Sequence, residues 1–431
     1  MKDFPNIGFY SEESFVDIAS DVLKNTNQQY LLISLSLDNF RNVTLSYGYQ
    51  TYNVLLHDLA VFFQSLAQSY FLSCRRNSDC FLFLLDISES ELPQLTLHLE
   101  KQYYDFIEYA RAQYPLSRIS YHAGIFEITS DKRDLSEAIF KADIAEESIH
   151  ASQKHIIVFD ESMIKKQSAE QDILALFDYM AEEKRILLYL QPKFNLHTKQ
   201  LTGAEVLVRM KDKSGAIIEP SVFIPVFEKH GLMYQLDLMV LEKTIKLLSH
   251  WIEDGLNPVP LSVNFSRSDF YSPEFIKIVH EMLEQYQIPK KYLEFEMTET
   301  CFKNEFELVA EHINMLHAQG YTFSIDNFGR SDTSLINMGI LPVDIIKLDC
   351  NLIRHNIRNA KGRSIISKLI EMFSEIGIET ICEGIETEEE ALLLKKCGCN
   401  YVQGYLFDKP LPVDFFYKKY IEYRNNGMLI C

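Results

Sequence analysis

In the C-terminal half of the chain, one polar residue after another stands at or near the end of a short apolar run. No other feature of the sequence constrains the fold as much. In order the runs are AEVLVR, LSVNF, LEFEMTE, FSIDN, DIIKLD, ICEG and YVQG. They place Glu205, Asn264, Glu296, Asp326, Lys347, Glu383 and Gln403 at comparable points. Short apolar runs alternating with amphipathic stretches predict repeated β/α units. With LLYLQP ahead of them, the runs make eight strand candidates over roughly 245 residues, the usual size of a closed (β/α)8 TIM-like barrel.

In such a barrel the strand ends open on one face, and that face carries the chemistry. Carboxyl and amide groups meeting there suit hard divalent cations, which prefer oxygen ligands. Helical stretches at 239–248, 364–376 and 388–396 fill intervals between the strand candidates.

The first half reads as a mixed α/β sheet domain. Strands are predicted at 30–37, at two runs within 70–85 around the polar turn Arg75-Arg76-Asn77-Ser78, at 119–128 and at 155–160. Helices are predicted at 52–69 and 135–150. Ser168 and Gln171 form an S-x-x-Q capping pattern, followed by Ile173, Leu176, Phe177 and Met180 on one face. This predicts a connecting helix over 163–184, between a first domain at 1–162 and a second at 185–431.

The chain carries 61 acidic against 42 basic residues, a formal charge of -19. That argues against a general binder of nucleic-acid polymers or anionic membranes, both of which need basic surface. A small anionic ligand is still open, because metal ions and a few arginines reverse a local field. The N-terminus shows no signal-peptide pattern, and no segment reaches the ~18–20 uninterrupted apolar residues of a membrane span. The eight cysteines follow no disulfide or zinc spacing. A cytoplasmic protein with reduced thiols is the expectation.

From Arg185 onward the sequence resembles the EAL domain family of bacterial cyclic di-GMP phosphodiesterases. The resemblance rests on YLQP, GAEVLVRM, FIPVFEKHGLMYQLD, VNFS, LEFEMTET, IDNFGRSDTSL, LPVDIIKLD, CEGIET and VQGYLFDKPLP, in the family's order. It implies that Glu205, Asn264, Glu296, Asp326 and Glu383 hold Mg2+ or Mn2+, with position 327 contributing to a second ion. It implies that Lys347 positions the attacking water, with Glu205 and Glu383 also catalytic. Arg209, Gln191 and Gln403 are the implied ligand-binding residues, and Glu299 is the implied anchor of the loop after Gly329. The first half resembles the GGDEF (diguanylate cyclase) domain through LISLSLDNFR, YGYQTYNVLL, RRNSDCFLFLL and SYHAGIFEI.

Departures from both families bear on activity. Where the EAL family has two adjacent aspartates, this chain has Asp326-Asn327. Asparagine keeps an oxygen ligand but loses the negative charge, which weakens an ion's hold and raises the pKa of its bound water. The following loop loses its second glycine, with Ser331 in that place. In the first domain the signature hairpin is Asn77-Ser78-Asp79-Cys80-Phe81, without its glycines or glutamate. The first metal aspartate aligns with Ser36, and the guanine-reading positions with Thr44 and Asn53. Without carboxylates for Mg2+, nucleotidyl transfer lacks charge stabilisation, so no cyclase activity is expected.

Three functions stay open on the sequence. One is a cyclic di-GMP phosphodiesterase producing pGpG, slowed by Asn327. The second is a cyclic di-GMP receptor without turnover. The third is a protein-interaction scaffold. The resemblance further implies a homodimer through the EAL domain, and the first domain is a candidate surface for a protein partner.

Overall fold

The computed structural model describes residues 9–26, 28–39, 45–65, 67, 71–87, 92–115, 118–129, 133–151, 154–179, 185–266, 269–298, 306–330 and 341–422. The chain divides into two compact units, Met1–Gln171 and Asp172–Cys431. The division falls within the helix Glu161–Asp178. That helix begins before the predicted capping pattern. Ser162 N–H donates to Asp160 Oδ1 at 2.8 Å, so Asp160 satisfies its first turn. Ser168 lies in the helix interior, where backbone N–H groups already have partners and a cap has nothing to satisfy.

The first unit is a mixed sheet of β1 (Gln29–Asp38), β2 (Phe71–Arg75), β3 (Cys80–Ile87), β4 (Ser120–Ile128) and β5 (Ile156–Val158), in the order β2-β3-β1-β4-β5. Its central strand is apolar on both faces. Leu31, Ile33 and Leu35 pack into one core, and Tyr30 and Leu32 into the other. This is why YLLISLSL reads as a continuous run and does not alternate. Gly124 lets the helix Leu135–Glu147 lie directly on β4, since a Cβ there would sit 2.1 Å from Ala142 O. Two further helices, Glu12–Lys24 and Leu92–Gln113, lie outside the elements that the sequence pattern predicts.

The second unit is the barrel. Its eight strands are β6 (Ile186–Asn195), β7 (Leu201–Lys211), β9 (Leu261–Phe265), β10 (Leu293–Thr298), β11 (Thr322–Phe328), β12 (Ile345–Leu348), β13 (Glu379–Cys382) and β14 (Tyr401–Gln403). They close in the order β6-β14-β13-β12-β11-β10-β9-β7, with β7 pairing back to β6. The two-residue strands β8 (Ile217–Ile218) and β15 (Leu411–Pro412) pair with β7 and β6.

One strand departs from a regular (β/α)8 barrel: β6 runs antiparallel to both neighbours. The physical reason is the short connection after Asn195. Asn195 Oδ1 accepts the N–H groups of His197 and Thr198 at 2.9 Å each, and Lys199 turns with φ 56°. A turn this short can return the chain only as a hairpin, whereas a parallel neighbour needs a crossover of a dozen or more residues. Elsewhere the expected period of two holds. Phe265, Phe295 and Phe323 stack across β9, β10 and β11, with ring centroids 5.0 and 5.2 Å apart. Side chains alternate across a strand, so these three aromatics on the helix side leave Asn264, Glu296 and Ser324 facing the lumen.

Candidate functional site

The strand register assembles the polar residues at one level of the barrel. Glu296 stands opposite Asn264 on one side and Ser324 on the other, and Thr298 stands opposite Asp326. On the antiparallel pair Gln191 faces Glu205. Glu383 follows β13 and is succeeded by Gly384, with φ 69°. A Cβ at Gly384 would sit 2.3 Å from Cys350 Cβ, so only glycine allows this strand end to pass so close.

Lys347 is at the centre, fully buried. Its Nζ lies 3.0 Å from Glu205 Oε2, 3.1 Å from Asp326 Oδ1 and 2.8 Å from Glu383 Oε1, and it also pairs with Glu296 Oε1. Asn264 Nδ2 donates to Glu205 Oε1 at 3.0 Å. Gln403 Nε2 donates to Glu205 Oε2 at 2.6 Å and to Gln191 Oε1 at 3.2 Å. The structure thus brings together Gln191, Glu205, Asn264, Glu296, Asp326, Asn327, Lys347, Glu383 and Gln403.

Arg209 stands outside this cluster. Its Nε meets Glu219 Oε2 at 2.9 Å, and its guanidinium lies 5.3 Å from the Tyr189 ring centroid. Glu299, Thr44 and Ser331 lie outside the described residues, and Asn53 falls in the helix Tyr49–Gln64.

Asn327 adopts φ 57°, at a break in the β11–β12 register between Ile325 and Phe328. Asparagine and aspartate tolerate this left-handed backbone better than other side chains. The Asn327 amide Nδ2 donates to Asp326 Oδ2. The amide therefore does more than remove a charge: it occupies a lone pair on the neighbouring carboxylate.

The electrostatics follow from burying four carboxylates around one ammonium. Burial works against the charged form of Lys347, but Asp326, Glu205, Glu296 and Glu383 outweigh it and hold the amine protonated. Burial also works against ionised Glu205. Lys347, Lys193, Gln403 and Asn264 overcome it and bring its pKa down to about 2. At Glu296 burial wins, reinforced by Glu205, and its pKa is raised. Glu383 is pushed up to about 8, first by burial and then by Asp326 and Glu205 against Lys347. The cluster thus has more acid than its ammonium can neutralise.

The donor set fits a hard divalent cation. All its candidate ligands are oxygens. Glu296 Oε2 is buried and makes no hydrogen bond, and Asp326 Oδ1 meets only the Lys347 ammonium, 3.1 Å away. Among the described residues no three acidic, histidine or cysteine side chains are placed to hold a metal ion as they stand; the four carboxylates are turned onto the Lys347 ammonium.

Two features join this site that the strand-end pattern does not predict. Asp237 and Asp269 both accept the Ser266 N–H, at 3.0 and 2.7 Å, and so fix the end of β9 two residues beyond Asn264. Burial raises both acids, Asp269 to about 6. A cavity of about 410 Å³, lined by Glu205, Ile224, Met233, Asp237, Asn264 and Asp326 among others, opens beside the cluster.

In the first unit, Ser36 and Cys80 face each other in register. Ser36 Oγ lies 3.4 Å from Cys80 Sγ, a hydroxyl beside a thiol with no carboxylate in the pair.

Residues 174–410 match the EAL domain family, and residues 9–155 match the diguanylate cyclase, GGDEF domain, family. MucR of Pseudomonas aeruginosa, a bifunctional diguanylate cyclase/cyclic di-GMP phosphodiesterase, is 25% identical over 390 residues, 90% of this chain and 56% of that protein. The signaling protein YkoW of Bacillus subtilis is 25% identical over 389 residues, 90% of this chain and 48% of its own length. The chain therefore spans about half the length of these curated relatives. Among solved structures, the PaMucR phosphodiesterase in its c-di-GMP complex is 26% identical with a TM-score of 0.53, covering 57% of this chain and 99% of that one. The c-di-GMP-bound FimX EAL domain of Pseudomonas aeruginosa, at 22% identity and a TM-score of 0.52 over 56% of this chain and 96% of its own, shares the fold.

Proposed function

Because the chain belongs to the EAL domain family and carries a GGDEF domain ahead of it, we propose that its barrel binds cyclic di-GMP and hydrolyses it slowly to pGpG. The observation that carries this reading is the convergence of Glu205, Glu296, Asp326 and Glu383 on the Lys347 ammonium. Glu205, Asn264, Glu296, Asp326, Glu383 and the Asn327 oxygen are the proposed ligands for Mg2+ or Mn2+. A divalent ion supplies a low-pKa water and neutralises charge on the phosphoryl oxygens.

The protein's own groups do the rest. Lys347 Nζ, kept protonated by the acids around it, donates to the attacking water and holds it in line. Gln403 and Asn264 fix the two oxygens of Glu205. Arg209 takes a phosphate oxygen through its guanidinium fork. The cavity beside the cluster receives part of the dinucleotide, with Ile224 and Met233 offering apolar surface.

A second reading, binding without turnover, is favoured by one observation. Asn327 Nδ2 already donates to Asp326 Oδ2, an oxygen that a second ion needs. The first domain (residues 1–162) is proposed to be without cyclase activity and to act through a protein partner, with the second (185–431) forming a homodimer.

Chromatography of cyclic di-GMP incubated with the protein and Mn2+ decides between the readings, with Glu205→Ala as control. Product pGpG that is absent from the control establishes hydrolysis. No product over hours, together with measurable ligand binding, establishes the receptor, and no binding at all leaves the scaffold.

A further inference from the structure

Below the carboxylate cluster the barrel lumen holds a second buried ion pair that the proposed chemistry does not use. Lys193 Nζ lies 3.0 and 3.1 Å from the two oxygens of Glu294. Their side chains are 3% and 6% exposed. Lys193 is on β6 and Glu294 on β10, which are not neighbours in the strand order, so the pair crosses the lumen. The same Nζ lies 3.8 Å from Glu296 Oε2, the buried oxygen that makes no hydrogen bond. Glu294 and Glu296 are two residues apart on one strand and face the same way. Glu296 therefore stands between two ammoniums, with Lys347 at Oε1 and Lys193 on the side of Oε2.

An ion pair is an expensive way to fill this space. Taking two charges out of water costs on the order of several kcal/mol each, and apolar residues of similar volume often do as well or better. Barrel interiors are commonly filled by layers of branched aliphatic side chains. The pair gives the fold little that leucine and methionine would not, but it places a fixed positive charge beneath a fully buried carboxylate.

We infer that Lys193, anchored on Glu294, is a positioning residue that sets the orientation of Glu296 for a divalent cation. The inference rests on the reading of the cluster as a metal site. Lys193 does not touch the substrate and acts only through Glu296. An unanchored Glu296 would turn both oxygens toward Lys347 and present neither to an incoming ion.

The test is the double variant Lys193→Met/Glu294→Leu, which replaces the pair with apolar groups of similar size. Two quantities are read: the melting temperature, and Mn2+ affinity by calorimetric titration of metal-free full-length protein. A merely structural pair would move the first and leave the second. We expect cooperative melting near the wild-type temperature and Mn2+ affinity weakened at least ~10-fold, the scale of lost support around a metal ligand. Lys193→Gln, which keeps an N–H donor for Glu294, is the second variant should the double variant fail to melt cooperatively, and the same weakening is expected. Wild-type affinity in either folded variant overturns the inference and leaves the metal site standing. A wild-type protein that takes up no Mn2+ overturns the metal-site reading, and this inference with it.

Discussion

Arg209 Nε lies 2.9 Å from Glu219 Oε2, so the guanidinium proposed to meet a ligand phosphate already holds a carboxylate of its own chain. The arginine side chain is 11% exposed and the glutamate 59%. A phosphate arriving at Arg209 shares the guanidinium with Glu219 and meets its negative charge. Ion pairs with an exposed partner are worth ~0.2–1 kcal/mol, so Glu219→Gln is expected to tighten cyclic di-GMP binding by up to about fivefold. Calorimetric titration checks this, and unchanged affinity would mean that the ligand does not use Arg209.

Asn327→Asp removes the donor on Asp326 Oδ2 and restores a negative charge, while the backbone at φ 57° accepts either residue. Combined with Ser331→Gly, it is expected to raise turnover of cyclic di-GMP at saturating Mn2+ at least ~10-fold, through a better-held ion and a more acidic bound water. Initial rates of pGpG formation measure it. Rates equal to wild type would show that neither Asn327 nor Ser331 limits turnover.

Lys347→Met leaves Glu205, Glu296, Asp326 and Glu383 facing one another without their ammonium. Removing one partner of a buried ion cluster costs ~3–5 kcal/mol, so the metal-free variant should melt well below wild type. Mn2+ should then raise its melting temperature more than that of wild type, because an ion that binds only the folded state stabilises it. A variant indifferent to Mn2+ would show that these carboxylates are not a cation site.

His122 gives the first unit a pH dependence. Its Nδ1 lies 3.4 Å from Asp38 Oδ1 and its Nε2 2.9 Å from Glu146 Oε1. Bonds to Asp38 and Glu146 raise its pKa from 6.5 to about 9, against the opposing effect of burial. The folded value is the higher one, so the stabilisation is full below 6.5 and is lost as pH rises through about 9. A shift of that size corresponds to about 3 kcal/mol, which solvent at the half-exposed Asp38 screens to about 2. Thermal melts between pH 6 and 10 should show this loss in the wild type and not in His122→Gln. Parallel curves would place the stabilisation elsewhere.

The lumen residues are legible in the sequence because each sits one position from an outward aromatic or aliphatic side chain: Asn264 beside Phe265, Glu296 beside Phe295, Lys347 beside Ile346. Period two then fixes the inward face without knowledge of the pairing. Lys193 carries the same signal, two residues past Gln191 in LQPKF, but Pro192 between them reads as the end of a strand. The partnership of Arg209 with Glu219 has no local signature, because it depends on the pairing of Met210 with Ile218 across β7 and β8. The start of the helix Glu161–Asp178 is misread for the opposite reason: a capping pattern is present at Ser168, but its donors are already spent.

The antiparallel closure of the barrel carries a consequence for biosynthesis. Gln403, on the last of the eight barrel strands in sequence, donates to Glu205 across 198 positions. A nascent chain that has left the ribosome only as far as Glu383 holds all four carboxylates and Lys347. It lacks both the strand that completes the ring and the amide that orients Glu205. The amide that orients Glu205 is the last part of the site to be synthesised.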